Sequence, residues 1–182
     1  ITYQEAMELS HFGAKVIYPP TIQPVLSKNI PIWIKNTFEP DAFGTYISSE
    51  SNTNGNPIKG TSHIDKIALI TLEGSGMVGV AGVSKRLFEV LSNHAISVIF
   101  ITQASSEHSI CIGILNADAA VAKTSIDQVF ELEIAQHKIN PCIVETDLCI
   151  VALVGEQMKN HQGISGKMFS TLGKNNVNIR AI

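Results

Sequence analysis

Gly74-Ser75-Gly76-Met77-Val78-Gly79 is the stretch whose residue types and spacing point most directly to chemistry. It has the G-x-G-x-x-G spacing that lets a ligand approach the backbone. It lies between an apolar strand run, Ile67–Leu72, and a helix pattern carrying Val83, Leu87, Val90 and Leu91. The start of such a helix offers free N–H groups and the positive end of its dipole. A dinucleotide pyrophosphate or the carboxylate of a small zwitterion would suit that position. A dinucleotide also needs an acid at the end of the next strand to hold its ribose. That strand, Ile96–Ile101, runs instead into Thr102-Gln103. The zwitterion fits better, and a nucleotide-binding catalytic fragment is the alternative.

Other reactive side chains do not assemble. Ser105-Ser106-Glu107-His108 sets hydroxyls beside an acid and a base, but it reads as a solvated hairpin turn. The six histidines include no i,i+4 pair beside a carboxylate, so no metal site is expected. Cys111, Cys142 and Cys149 lack metal-ligand spacing and cannot all pair in one chain, which points to buried thiols in a reducing, cytoplasmic compartment. The reading is of a binding module without catalytic residues of its own.

Composition narrows the class further. With 45% hydrophobic and 16% charged residues, the 182-residue chain is ordinarily globular, with room for one domain and a fraction or two small ones. A net charge of -3 argues against a nucleic-acid partner. No apolar run approaches the roughly 20 residues of a membrane-spanning helix, so no membrane partner is expected. The chain opens on Ile1 and closes on Val177–Ile182, an alternating apolar stretch without a cap, and a piece of a longer protein is expected.

The elements that must position the glycine loop follow from local pattern. Thr2-x-x-Glu5 is a capping box at the head of a helix that carries Met7, Leu9 and Phe12 and ends near Gly13. A second short helix is expected from Pro20, and short strands at Pro31–Ile34 and Gly44–Ile47. Ile1–Ser48 looks too small for a core of its own, and Ser48–Ser62, rich in Ser, Asn, Gly and Thr, reads as a linker. Beyond Ile64 the pattern repeats at a shift of about 80 residues. Leu72 falls on Leu153, Gly74 on Gly155, Met77 on Met158, Gly82 on Gly163, Ser84 on Ser165, Phe88 on Phe169 and Leu91 on Leu172.

The first copy continues with a strand over Ser109–Leu115 and a helix capped by Asp118 that carries Val121, Ile126, Val129 and Phe130. A last strand is expected at Cys142–Glu145. Its order is βαββαβ, an α+β ferredoxin-like sandwich. The second copy supplies Ile150–Val154, a helix with Ile164, Met168 and Leu172, and the start of a strand at Val177–Ile182.

Several motifs together resemble a family. Thr2-Tyr3-Gln4-Glu5-Ala6-Met7-Glu8-Leu9-Ser10-His11-Phe12-Gly13-Ala14-Lys15-Val16, Pro31-Ile32, Lys35-Asn36-Thr37 and Gly44-Thr45 are similar to the end of the catalytic domain of aspartate kinases. The βαββαβ copies resemble their paired regulatory ACT domains. Ile96-Ser97-Val98, Ile101-Thr102-Gln103 and Ser105-Ser106-Glu107 are most similar to the bifunctional aspartate kinase–homoserine dehydrogenase type. One departure is Tyr18-Pro19-Pro20, where the family usually has His-Pro-Arg.

The resemblance implies a division into residues 1–48, the tail of an amino-acid-kinase α/β catalytic domain, 49–62, a linker, 63–146, a complete ACT domain, and 147–182, a truncated one. It implies an allosteric region that senses an amino acid, threonine first and lysine as the alternative, giving end-product feedback inhibition of the phosphorylation of L-aspartate. It implies homodimers or higher oligomers through the ACT domains. It assigns Lys15 to ATP in a parent enzyme that uses ATP and Mg, with no cofactor in this chain. The effector would be held by Gly76, Met77, Gly79, Val80, Gly82, Val83, Ile99 and Gln103. Alone, the chain is expected to catalyse neither aspartate phosphorylation nor homoserine oxidation.

Overall fold

The computed structural model describes residues 1–11, 13, 16–50, 55–103 and 106–182. They form two compact units, Ile1–Ile64 with Val151–Asn178, and Asp65–Ile150 with Ile179–Ile182. Lys15, Ser105 and positions 51–54 of the expected linker lie outside the described residues.

In the first unit, helix α1 (Tyr3–His11) starts on the expected capping box. The Glu5 N–H donates to Thr2 Oγ1 at 3.1 Å, and the Thr2 N–H donates to Glu5 Oε2 at 2.9 Å. A 3-10 turn at Pro19–Thr21 leads into α2 (Ile22–Ser27). Strands β1 (Ile32–Ile34) and β2 (Thr45–Ile47) pair antiparallel with Ile32 opposite Ile47. Tyr3, Ala6, Ile22 and Ile47 are buried together, flanked by Met7, Ile17, Val25, Ile32 and Ile34. Ile1–Ser48 therefore has a small core after all. The Tyr3 N–H, bonded to the Ser48 carbonyl at 3.1 Å, ties the head of α1 to the end of β2.

The second unit is built on a four-stranded sheet in the order β4-β5-β3-β6, where β3 is Gly60–Glu73, β4 Phe100–Gln103, β5 Ser109–Leu115 and β6 Ile143–Val154. Counted within one βαββαβ copy, this is the ferredoxin-like order, an α+β sandwich as expected. Helices α3 (Val83–Asn93), α4 (Ala119–Val129) and α5 (Glu131–Ala135) complete it. Ile70 and Leu72 of β3, Ile110, Ile112 and Ile114 of β5, Leu87 and Leu91 of α3 and Ile126 of α4 bury one continuous core, closed by Phe130 and Ile139.

Several boundaries differ from the local pattern. Ile96–Ile101 is not one strand: β4 begins at Phe100. Ala95 turns the chain with φ +55, and Ile96 plugs the helix core. Val121 is 49% exposed, and Ala119 and Ala122 take the inner face of α4. Asp118 occupies the N-cap position of α4 but makes no capping hydrogen bond. Val177–Ile182 carries no strand, since no described segment forms a ladder with it. The apolar face of α6 (Ile164–Lys174) is half-buried.

The repeat has a register of 81 residues and extends to the backbone torsions. Lys66 and Asp147, Gly82 and Gly163, and Ala95 and Asn176 are three such pairs, all at positive φ. Strands β3 and β6 are counterparts as well, each longer than the separate runs expected from sequence, so the expected boundaries at 62 and 146 fall inside them. The Glu73 carbonyl accepts the Asn140 N–H at 2.8 Å, and its counterpart, the Val154 carbonyl, accepts the Lys59 N–H at 2.7 Å. Pro57–Lys59 thus stands to the second copy as Lys138–Asn140 stands to the first. Within the segment read as a linker, Lys59 is bonded to the second copy.

Candidate functional site

The glycine loop and α3 line one side of a cleft of about 320 Å³ in the second unit. Its walls are Met77, Gly79, Val80, Ala81, Gly82, Val83, Ser84, Gln103, Glu107 and Ile110. Gln103 ends β4 opposite Ile110 of β5, on the side of the sheet where Ile110 and Leu72 meet the helices. That places its amide at the mouth of the loop.

The glycines of the loop divide by role. A Cβ on Gly74 or Gly76 would run into the Lys138–Ile139 backbone or the Lys138 side chain, 2.6 Å away for Gly76. The Gly76 N–H already donates to the Lys138 carbonyl at 2.8 Å. These two glycines make room for protein and leave no opening for a pyrophosphate. Gly79 and Gly82 stand in open space at φ +69 and +93, backbone angles that side chains resist. They shape the entrance, and Gly82 starts α3 without any side-chain cap. The first-turn N–H groups at Val83 and Ser84 therefore line the cleft without a capping acceptor. The Val80 N–H, expected to be available, is used by the Met77 carbonyl at 3.2 Å.

Glu107 changes the chemistry of the cleft. Its carboxylate accepts the Gly79 N–H at 3.0 Å and, among the described residues, is the one acidic side chain on the wall. A site with first-turn donors, a carboxylate and a carboxamide can take a zwitterion that also carries a hydroxyl. The first turn of α3 is braced from below. The Arg86 N–H donates to the Gly82 carbonyl at 3.0 Å, while its guanidinium binds both oxygens of Glu133 and the Val129 carbonyl and lies 4.4 Å over the Phe130 ring. The hydrogen bond from Arg86 holds the Glu133 carboxyl below the usual carboxylate range, and Glu133 in turn raises Arg86.

Of the residues expected at the site, Met77, Gly79, Val80, Gly82, Val83 and Gln103 meet at the cleft. Gly76 lies behind it, packed on Lys138. Ile99 is bonded through its N–H to the Gly113 carbonyl at 2.8 Å and does not line the cleft. Ile101, two residues before Gln103 on β4, is 57% exposed. Sequence reasoning passed over Ser84 and Glu107. Ser84 carried a signal, its repetition at Ser165; Glu107 carried none, because only the fold of the β4–β5 turn brings it to Gly79. Among the described residues no three His, Cys, Asp or Glu side chains gather as a metal ion would need. Among them, too, no helix is long and apolar enough to cross a membrane.

Residues 70–130 and 151–182, just over half of the chain, match the family model of the ACT domain. The chain belongs to the ACT domain family. The two matched stretches are the two copies of the internal repeat. Over its full length this ACT region is 43% identical to the bifunctional aspartokinase/homoserine dehydrogenase of Haemophilus influenzae, of which it covers 22%. The chain spans about a fifth of the length of the bifunctional aspartokinase/homoserine dehydrogenases it matches. Among solved structures it superimposes on Clostridium acetobutylicum aspartate kinase with a TM-score of 0.83 at 28% identity, covering all of this chain and 41% of that one. The Escherichia coli aspartokinase III complex with lysine and aspartate gives 0.71 at 28% identity, covering all of this chain and 39% of that one. Fold, repeat and family agree on an ACT regulatory region of the kind aspartate kinases carry.

Proposed function

We propose that the cleft between the Gly76–Val83 loop and Gln103 binds a free amino acid, threonine, as the feedback signal of a parent aspartate kinase. The observation that carries this reading is the meeting of three complementary groups around one cleft. The α-carboxylate would take the uncapped first turn of α3, the α-ammonium would take Glu107, and the Gln103 amide can both donate to and accept from a hydroxyl. Lysine is the second reading, favoured by the aspartokinase III complex with lysine. Against it, Glu107 is the one carboxylate on the wall among the described residues, which show no partner for a second ammonium there.

In the parent, inhibition requires the ligand to prefer the inactive arrangement, with a coupling of about 1–3 kcal/mol. ATP and Mg belong to that parent. We assign residues 1–48 to the tail of its catalytic domain and the two ACT copies to its regulatory part, in a cytoplasmic homo-oligomer. Edge strand β4, with Ile101 exposed, suits self-association.

Calorimetry of the chain with threonine, lysine, methionine and asparagine tests the assignment. Heat from threonine alone supports it, and tight lysine binding without a threonine signal rejects it.

A further inference from the structure

We propose that Glu5 is a positioning residue for the second glycine loop, Gly155–Gly163, which its buried carboxylate joins to α1. The inference rests on the reading of the glycine loops as effector loops.

Glu5 is only 2% exposed although it sits in the first turn of a helix, where carboxylates usually face water. Its two oxygens have separate tasks. Oε2 closes the capping box on the Thr2 N–H, and Oε1 accepts the Glu156 N–H at 2.9 Å, 151 residues further along the chain. Glu156 opens the 3-10 turn Glu156–Asn160 inside the loop that leads to Gly163 and α6.

The internal repeat shows what is particular here. In the first copy the loop is held by a later segment of the same copy, through the Gly76 N–H on the Lys138 carbonyl. Ser75, the counterpart of Glu156, has no such acceptor for its N–H among the described residues. In the second copy Gly155 is wedged against Pro57, and the carboxylate of Glu5 reaches the next residue.

The residue type matters. A capping box alone accepts Gln as readily as Glu. Gln, however, offers a single acceptor oxygen, and its amide would face the second N–H with a donor. An ionised carboxylate accepts both, by charge-assisted bonds stronger than neutral ones. Glu5 therefore makes the start of α1 and the second effector loop one mechanical piece, so that a ligand ordering the loop also bears on the helix.

Amide hydrogen exchange on the chain, read residue by residue, tests this. Glu5→Gln should speed exchange at Glu156–Asn160 about tenfold, the loss of one charge-assisted bond, with the near-UV signature of the fold retained. Thr2→Ala, which removes the other half of the cap, should speed exchange only at the start of α1. Unchanged protection of Glu156–Asn160 in Glu5→Gln overturns the proposal. Should that variant fail to fold, the unaltered chain decides. Its Glu156 amide should exchange about tenfold more slowly than Ser75 after correction for intrinsic rates, and equal rates overturn the proposal. A slow Glu156 amide together with no calorimetric heat from any amino acid would uphold the Glu5 link and reject the effector reading.

Discussion

Gly79 donates its N–H to the Glu107 carboxylate at 3.0 Å, joining the loop before α3 to the turn between β4 and β5. This bond holds the one acid on the cleft wall beside the uncapped helix start. A dipolar ligand laid between them would meet both of its charges in the right order.

Glu107→Gln keeps the shape and removes the charge. Threonine binding should weaken about tenfold or more, as expected when an ammonium loses a charge-assisted partner. Calorimetry gives the ratio directly, and an unchanged Kd would show that the ammonium lies elsewhere.

Gln103→Ala removes the hydroxyl's partner at an exposed strand end. A neutral hydrogen bond is worth about 0.5–1.5 kcal/mol, so binding should fall several-fold while the melting curve stays put. A large drop in Tm would mean that the side chain serves the fold and not the ligand.

Gly82 and Gly74 should respond differently to alanine. At Gly82 there is open space but φ is +93, so the cost is backbone strain of about 1–2 kcal/mol. At Gly74 the new methyl would meet the Lys138–Ile139 backbone, and the loss should be larger because that segment closes the core. Urea unfolding of both variants checks the order; the reverse order would contradict the packing.

Acid should release the Arg86–Glu133 brace. The Glu133 carboxyl is held below its ordinary value by Arg86, so folding gains from its ionised form. That gain is complete above the unfolded carboxylate value near pH 4 and is lost as pH falls through the lower, folded one. Glu133→Gln should be less stable than the parent chain at pH 7, and the gap should close on acidification. Both side chains are partly exposed, which keeps the effect modest. A gap that does not change with pH would remove charge from the account.

The cysteines should separate in alkylation. Burial, followed by the neighbouring Asp127, pushes the Cys142 thiol up to about 12, and its N–H is bonded to Asp127 at 2.8 Å. Cys149 is exposed. Iodoacetamide at pH 8 should label Cys149 in the folded chain and reach Cys142 only after unfolding. Early labelling of Cys142 would show that its pocket opens.

Interactions within a few residues were legible without coordinates. The Thr2/Glu5 capping box forms as its spacing requires, and Val83, Leu87, Val90 and Leu91 are buried on α3 because a 3.6-residue period puts them on one face. The duplication was legible too, since equal positions of two copies meet equal surroundings, down to the positive φ of Gly82 and Gly163. Long-range packing decided the rest. A glycine pattern does not reveal that Gly74 and Gly76 are small to admit Lys138 and Ile139. Nor does a turn-like string reveal that Glu107 bends back to Gly79. The limits of β3 and β6 depend on ladder partners, and each strand runs through a residue at positive φ, Lys66 and Asp147. Glu5 is the sharpest case. Its first bond was set by a partner three residues away, and its second by a chain that had to travel 151 residues before the Glu156 N–H reached the carboxylate.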